Sequence, residues 1–395
     1  MRFAGIDIAS ETHTVAVVDD AGGVVVPATT FREDHGGYAR LQEILGPPQD
    51  LLVAMEATGH YWQNLVATLV AEGYSTALLN PLRTRRFADA DLERAKTDAI
   101  DALGIARMAA QKRLRPTALP DAVTLELREL VRFRQRVQQE IGDKTRQLHR
   151  LVDLGFPEFR CHVRTLDSEL ATSILREYPT AEAFQAVSRA KLARLCYDGR
   201  HKVGDELAGA LRATAKVSVG RHHGSPYRMQ VRCLCDDIAT LRRRLRDIDK
   251  DIAGTIEAHE VGRLLTTIDG IGPTTAANLV AEIGDFARFR DANALASYVG
   301  VVPGTKHSGK SRPTRSALSP LGNARLRGAL WMPTLTAVRR NPWLKAHYER
   351  LRANGKLPKV ALVASMRKLL HAVYSVAKNR RPFVPLLPPH PPHPA

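Results

Sequence analysis

The first hundred residues alternate between short apolar runs and stretches with helical spacing. The runs FAGIDIA, TVAVVDD and VVVPATTF, with an AGG turn at 21–23 before the third, predict a three-strand meander. Helical spacing follows around 38–45, at 61–73 and around Asp98, and it separates the further strands LLVAME and STALLN. The order β-β-β-α-β-α-β-α therefore predicts a mixed sheet flanked by helices.

Such an element order matches an RNase H-like fold, which we assign to residues 1–112. After Pro116 and Pro120 the pattern changes, because apolar positions step by three and four along a long helix from 121 and again from Val231 to Ile252. These repeats predict an α-helical coiled-coil region over 113–258, whose arms pair with each other or across subunits. Two ordinary bundle helices would give the same pattern, and residues 155–226 between the arms are uninformative.

The last domain, 259–381, is predicted to be mostly α-helical. Its segment LLTTIDGIGPTTAANLVAEIG reads as a helix, a turn at Gly270-Ile271-Gly272, and a second helix from Pro273 or Thr274. In a helix-hairpin-helix, backbone N–H groups at such a turn grip a DNA phosphate. A plain αα-hairpin has the same sequence pattern. The proline-rich tail, 382–395, is expected to be disordered.

Charge is distributed unevenly along the 395 residues, which carry a net charge of +17. Residues 1–110 hold 9 Lys and Arg against 15 Asp and Glu, whereas residues 301–395 hold 18 Lys and Arg and one acid, Glu349. The basic end predicts a polyanionic partner, with nucleic acid first and a membrane surface second. Because no apolar run or signal segment points to a membrane, we expect a soluble cytoplasmic protein without a membrane partner. The four cysteines are too few for a disulfide framework, and zinc is not expected.

Four acidic residues occupy related places in this predicted fold. Asp7 lies in the middle of the first strand, Glu56 ends the fourth, and Asp98 and Asp101 share one helix face. The first and fourth strands are adjacent in an RNase H-like sheet, so the four carboxylates would converge. Like charges so close persist only with cations, and hard oxygen ligands suit Mg²⁺. The sequence therefore predicts a magnesium site.

Other roles are open to three of these acids. Glu56 could cap the following helix, and Asp98 and Asp101 could form a solvated face beside basic neighbours. The surface interpretation suits three nearby acids better, namely Asp89, Asp91 and Glu93.

Three segments around the acids resemble signature blocks of one protein family. GIDIASETHTVAVVDDAG, MEATGHYW and AKTDAIDALGIARMA resemble those of the DEDD-type transposases of bacterial insertion sequences, insertion-sequence family one hundred and ten. The segment from LTTIDGIGP to LRGALW resembles that family's second conserved domain. The resemblance implies a RuvC-like domain with the tetrad Asp7, Glu56, Asp98 and Asp101.

The resemblance also implies a catalytic serine in the second domain, which falls here on Ser308. The family joins DNA through a phosphoserine link, with Mg²⁺ holding the scissile phosphate. It further implies a structured guide RNA from the element's flank, a homo-oligomer (dimer or tetramer) with shared active sites, and a nucleoid-associated location in bacteria.

The loop around Ser308 is rich in cations that would stabilise a phosphate transition state. Alternatively the loop only grips phosphates, and Ser311, Ser316 and Ser319 are rival nucleophiles. A basic cluster of Arg325, Arg327, Arg339 and Arg340 also predicts phosphate contacts. The residues predicted to contact nucleic acid are Gly270, Gly272, Thr274, Lys306, Lys310, Arg312, Arg315, Arg325 and Arg327.

Together these features predict a DNA transposase or site-specific recombinase that depends on Mg²⁺ and, lacking a P-loop pattern, not on ATP. One rival is a hydrolytic nuclease of the RNase H or junction-resolving type, which needs only the tetrad. A second rival is a non-catalytic nucleic-acid binder that uses the helix-hairpin-helix and the basic domain. An actin-like ATPase is discounted because its glycine-rich phosphate loops are missing.

Overall fold

The apolar runs of the N-terminal part form one five-stranded sheet, whose strands are β1 (Arg2–Asp7), β2 (Thr12–Val18), β3 (Val24–Arg32), β4 (Leu51–Glu56) and β5 (Ser75–Leu79). The computed structural model describes residues 1–90, 97–302 and 321–385, without the side chains of 88–90. The strand order is β3-β2-β1-β4-β5. β1 pairs antiparallel with β2 and β2 with β3, whereas β1, β4 and β5 are mutually parallel. The prediction of a mixed sheet is confirmed.

Four helices accompany the sheet, namely α1 (His35–Leu45), α2 (Trp62–Ala71), α3 (Pro81–Ala90) and α4 (Asp98–Gln111). α1 and α2 cover one face, where Leu41 and Leu65 pack with Ile6 of β1. α4 covers the other face, where Ile105 and Ala106 pack with residues of β1, β4 and β5. The result is a three-layer unit that extends to Leu119.

Among the described residues of this unit, helix α3 is an element that was not predicted from the sequence. Its segment PLRTRRFADA is mostly polar and lacks an apolar stripe, which is the main signal for a helix. The start of α3 is nevertheless encoded locally. Pro81 stands at its first position, and the Leu82 amide donates to the side chain of Asn80 (2.9 Å).

The rest of the chain, from Pro120, forms a second compact unit that is mostly helical, as predicted. Two long helices, α5 (Ala122–Gly155) and α11 (Ser225–Ala258), pack against each other. They are antiparallel, since Arg134 pairs with Asp249 (2.5 Å) and Lys144 with Asp237 (2.6 Å). The two predicted repeats therefore meet within one chain. Buried positions of the repeats include Leu127, Val137, Ile141, Leu148, Leu151, Val231, Leu234, Ile238, Leu241, Ile248 and Ile252.

The segment between the long helices has a hydrophobic core of its own. Phe156, Phe159 and Phe184 are fully buried there and pack against the ends of α5 and α11. The sequence of this segment has no simple hydrophobic periodicity that predicts the core, because its helices are short. They are α6 (Phe159–His162), α7 (Glu169–Glu177), α8 (Ala181–Ala186), α9 (Arg189–Ala193) and α10 (Asp205–Lys216).

The C-terminal helices share one core with the first half of α5 and the second half of α11. They are α12 (Glu260–Leu265), α13 (Pro273–Ile283), α14 (Ala292–Val299), α15 (Ala324–Ala329), α16 (Trp331–Arg340), α17 (Pro342–Ala353) and α18 (Pro358–Asn379). Among the described residues, α18 alone is long and apolar enough to cross a bilayer, by length and composition. Its apolar side chains, such as Met366, Leu369 and Val373, are buried in this core, as is typical of a core helix.

Candidate active site

Two of the predicted acidic residues lie side by side at one edge of the sheet. Asp7 is the last residue of β1 and Glu56 the last of β4. The two strands are parallel, and the pairing of Ile6 with Met55 brings the two acids to the same level. Asp7 was predicted in the middle of the first strand. It lies instead at the end of β1. Its position is half-buried because the chain turns away towards β2 directly after it.

The side chains of Asp7 and Glu56 belong to the sheet face that α4 covers. Side chains alternate along a strand, so Asp7 shares a face with Phe3 and Gly5. A Cβ added to Gly5 would lie 2.2 Å from the carbonyl oxygen of Ala102, so the backbones of β1 and α4 touch there. The same alternation places Glu56 on the face of Ala54, which is buried against α4.

Helix α4 brings the other two acids to the same edge. Asp98 and Asp101 form its first turn, and Thr97 caps it by accepting from the Ile100 amide (3.3 Å). Beyond the far end of α4, the Thr117 amide donates to the carbonyl of Thr76 (2.8 Å), near the start of β5. α4 therefore runs antiparallel to β1 and β4, and its first turn faces their carboxyl ends. The predicted tetrad lies on three neighbouring elements at one edge.

The carboxylate of Glu56 is held by two threonine hydroxyls. Thr58 donates to Oε1 and Thr84 of α3 to Oε2, both at 2.6 Å. Neither threonine was predicted from the sequence. Thr58 stands in the MEATGHYW segment two residues from Glu56, which is a usable signal, but Thr84 becomes a neighbour only through the fold. Glu56 does not cap the next helix, because the N-cap position of α2 is Tyr61 and no side chain caps it.

The four acids suit a magnesium ion by donor chemistry. Carboxylates are hard oxygen ligands, and one carboxylate can accept about four hydrogen bonds or metal contacts, so Glu56 retains capacity beside Thr58 and Thr84. Within 1–90, 97–302 and 321–385, no three acidic, histidine or cysteine side chains are drawn together as a ready metal site. Metal binding would therefore require the side chains to close around the ion.

A buried histidine supports the loop that follows Asp7. His13 of β2 accepts from the Ala9 amide through Nδ1 (3.3 Å), and its Nε2 contacts Glu33 at 2.6 Å. Tyr38 also donates to Glu33 (2.7 Å). Partial burial would raise the pKa of Glu33, but the hydrogen bonds from His13 and Tyr38 outweigh it and lower that pKa. His13 is thus a packing residue close to the acids.

The predicted nucleophile lies outside the described residues. So do the rival serines Ser311, Ser316 and Ser319, and Lys306, Lys310, Arg312 and Arg315. The structure describes the residues on either side of this segment, which we call its flanks; the first ends at residue 302 and the second begins at residue 321. The two flanks touch at Gly300 and Gly322. A Cβ added to Gly322 would lie 2.7 Å from the Cα of Gly300, and both glycines have positive φ (115° and 82°). Glycine is required at both positions, because a side chain would separate the flanks.

A partly buried ion pair anchors these flanks to α5. Glu282 of α13 accepts from Arg132 of α5 (2.9 Å) and from Asn323 (3.2 Å), directly after the second flank. Tyr298, just before the first flank, donates to the Glu282 carbonyl (3.0 Å). The guanidinium of Arg327 also approaches the carbonyl of Val299 (3.4 Å). Arg327, predicted to contact nucleic acid, therefore has an internal partner, whereas Arg325, Arg339 and Arg340 are exposed.

The predicted glycine turn joins α12 to α13 as expected for an αα-hairpin. Gly270 has a positive φ of 101° and packs so closely on α16 that a Cβ would lie 2.6 Å from that of Ala337. Gly272 is exposed and precedes α13 without a side-chain cap. Thr274 donates to Asp249 of α11 (3.4 Å). The turn thus has a structural reason for Gly270 and an open backbone at Gly272.

Comparison with known proteins finds similarity along nearly the whole chain. Residues 4–157 match a family model described as Transposase, for the DEDD transposases of IS110, and residues 262–349 one described as Transposase IS116/IS110/IS902 family. The uncharacterized 44.8 kDa protein of insertion element IS116 from Streptomyces clavuligerus is 28% identical, over 97% of this chain and 96% of that protein. The uncharacterized 43.6 kDa protein of insertion element IS110 from Streptomyces coelicolor is 29% identical, over 95% and 94%. The pilin gene-inverting protein of Moraxella bovis is 26% identical, over 96% and 97%.

Proposed function

We propose that the chain is a transposase or recombinase of the IS110/IS116 family of insertion elements and acts on DNA. It would cut and rejoin strands at a Mg²⁺ site formed by Asp7, Glu56, Asp98 and Asp101. The observation that carries the proposal is the meeting of three elements at one edge. Two parallel strand ends and the first turn of α4 bring four carboxylates there, in the part of the chain that matches the DEDD model. The strand order supports an RNase H-like, RuvC-like assignment.

Each residue then has a chemical task in strand transfer. Mg²⁺, held by the four carboxylates, would polarise the scissile phosphate. Thr58 and Thr84 orient Glu56 towards the edge of the sheet. The Ser308 oxygen would bond to phosphorus while the bond from phosphorus to the leaving nucleotide oxygen breaks, and the serine proton passes to that leaving oxygen. Attack by a DNA hydroxyl on this serine phosphate rejoins the strands and frees the serine.

Cations of the Ser308 segment neutralise the charge that builds on the phosphate. This part of the proposal is supported by the contact between Gly300 and Gly322 and by the hydrogen bond from Asn323 to Glu282. These contacts fix the positions of the two flanks from which the segment extends. We further propose a helix-hairpin-helix contact from Gly272 and Thr274 to phosphate, a structured guide RNA as partner, and a homo-oligomer that works in the bacterial cytoplasm.

A covalent-trapping assay tests the serine and the metal together. The protein is mixed with Mg²⁺, labelled DNA that spans an element end and its target, and transcripts of the element's flanks. Denaturing gels then show whether the label stays with the protein. We expect an adduct with the wild-type chain and its loss in Ser308→Ala and in Asp101→Ala, because each variant removes a group that acts on the phosphate.

Two controls sharpen this assay. Asp20→Ala removes an exposed acid of the same sheet unit and should leave the adduct intact. Ser311→Ala tests the rival nucleophile. Free cleaved ends that persist in Ser308→Ala without any adduct would instead establish the hydrolytic nuclease, for which the tetrad alone suffices. Unchanged function in Asp7→Ala and Asp101→Ala would establish a non-catalytic nucleic-acid binder.

A further inference from the structure

A groove between three C-terminal helices combines aromatic rings with cations. Its volume is about 540 Å³, and α16, α17 and the start of α18 form its walls. Trp331 and Leu335 lie one helical turn apart on α16, and Tyr348 faces them from α17. The cations on its rim are Arg339, Lys345 and Lys359, all exposed.

The two aromatic side chains are positioned as a rigid platform. Trp331 and Tyr348 are each half-buried, because one part of each ring packs against the C-terminal core. The remaining part lines the groove. An aromatic ring that packs against the core on one side and is exposed to solvent on the other loses little conformational entropy when a flat ligand stacks on its exposed side.

The electrostatic surroundings of the groove favour an anion. The first turn of α18, which begins at Pro358, lies at the groove, and its N-cap position, Leu357, provides no side-chain cap. Backbone N–H groups and the positive end of the helix dipole are therefore available. Glu349, the one acid of residues 301–395, also lines the groove but is offset by Lys345 at 3.9 Å.

We infer that this groove binds an unpaired nucleotide of single-stranded DNA. The base stacks on Trp331 and Tyr348, and the flanking phosphates contact Lys345, Lys359 and the start of α18. Every base has an aromatic face, so such a site tolerates any sequence. The inference rests on the family's action on DNA, whose strand exchange requires unpaired segments, and is independent of the serine mechanism.

Binding of oligonucleotides without Mg²⁺ tests the site without any cleavage. The full chain is titrated against a fluorescent oligothymidylate of about 12 nucleotides in EDTA, and anisotropy gives the affinity. Trp331→Leu keeps apolar volume but removes the stacking ring, so we expect affinity to fall about tenfold. An abasic oligonucleotide with the same phosphates should bind wild type and Trp331→Leu equally.

A matched control exists on α17. Trp343 is also half-buried, but its ring has other partners outside this groove. Nζ of Lys368 lies 4.5 Å from the centre of the ring, and the centre of the Phe383 ring lies 5.5 Å from it. Trp343→Leu should leave the oligothymidylate affinity within about twofold. Circular dichroism checks that all variants have the same helix content, and Tyr348→Leu serves as a second probe if Trp331→Leu fails to fold.

The cations are tested by salt dependence. The double variant Lys345→Gln with Lys359→Gln should lower the slope of log affinity against log salt by about 1.4, because each phosphate contact on a single strand contributes about 0.7. Lys216→Gln, an exposed lysine of α10, should leave the slope unchanged.

The outcomes separate this inference from its competitors. A parallel titration with oligouridylate tests the occupant: a larger effect of Trp331→Leu on oligouridylate than on oligothymidylate would make the groove an RNA site and overturn the assignment to DNA. An unchanged affinity for both in Trp331→Leu overturns the inference. So does an equal loss with the abasic strand, and so does a change in sedimentation in Trp331→Leu without a change in binding, which would make the groove an interface between copies. A negative trapping assay alters none of these results.

Discussion

At the scale of single residues, the candidate site depends on a glycine that carries no functional group. Gly5 lies two residues before Asp7 and allows the backbone of α4 to touch β1. A Cβ there would lie within 2.3 Å of both the Ala102 oxygen and the Ala106 nitrogen. Real side chains do not tolerate such distances, so any other residue must push α4 away. The carboxylates of Asp98 and Asp101 would move with it.

Replacement of Gly5 by alanine should therefore impair stability and activity together. We expect the free energy of opening of α4 to fall by about 3 kcal/mol, because the overpacked backbone has no room to relax. Hydrogen exchange of the α4 amides, read by mass spectrometry, measures this value. The trapping assay should show a weaker adduct.

Gly104 on the same helix provides the control. It has no heavy atom within 4 Å of an added Cβ, so Gly104→Ala should stabilise α4 by about 0.5 to 1 kcal/mol through helix propensity alone. Equal exchange rates in Gly5→Ala and Gly104→Ala would show that the backbone contact does not hold the helix in place.

At the scale of secondary-structure elements, one buried carboxylate connects several helices of the second unit. Glu282 belongs to α13, and it reaches Arg132 on α5 and Asn323 at the start of α15. Burial alone would raise the pKa of Glu282, but the hydrogen bond and the charge of Arg132, with the Asn323 amide, hold it below its usual value of 4.5. Folding therefore favours its charged form.

This pair predicts a defined dependence on pH. The stabilisation is fully present above pH 4.5 and is lost as pH falls through the lower pKa of the folded state. Glu282→Gln should lower the free energy of unfolding by about 1 to 3 kcal/mol at pH 7, a modest value because Arg132 is partly exposed to solvent. The difference in unfolding free energy between variant and wild type should become smaller below pH 4.5. Thermal unfolding followed by circular dichroism measures both.

The matched control is an exposed pair of the first unit. Arg40 and Glu43 lie three residues apart on α1, so Glu43→Gln should change stability by less than about 0.5 kcal/mol at any pH. A cost of Glu282→Gln that stays constant down to pH 3 would indicate lost packing and not a lost charge.

At the scale of the whole molecule, charge is divided along the chain. Residues 1–110 carry an excess of acids, whereas residues 301–395 carry 18 cations and one acid. The carboxylates that would hold a metal and the cations that would hold phosphates therefore come from different parts of the chain. Such a division lets one part attract DNA without neutralising the other.

The basic end predicts a steep salt dependence of DNA binding. If six or more phosphates are contacted, affinity for a duplex of unrelated sequence should fall by about 1,000-fold or more between 50 and 200 mM salt. Anisotropy titrations of the full chain measure this slope. A fall of less than about tenfold would mean that most of the cations face solvent and not DNA.

Much of the architecture was readable from local patterns. Periodicity and turn residues predicted strands β1 to β5, helices α1, α2 and α4, the two long helices and the hairpin start at Pro273. These signals are local because burial of one face imposes a period of two or of 3.6 on the sequence. Helix α3 and the helices of the 156–224 segment escaped, since they are short or polar.

The sequence by itself determined which residues we propose for the chemistry, because Asp7, Glu56, Asp98 and Asp101 are marked by their segments and by their order along the chain. Tertiary structure decided how they meet. The parallel pairing of β1 with β4, the Gly5 contact and the antiparallel course of α4 depend on residues up to about a hundred positions apart. The roles of Thr84, Glu282 and the Trp331 groove also appear only after folding, because such contacts leave no periodic trace in the sequence.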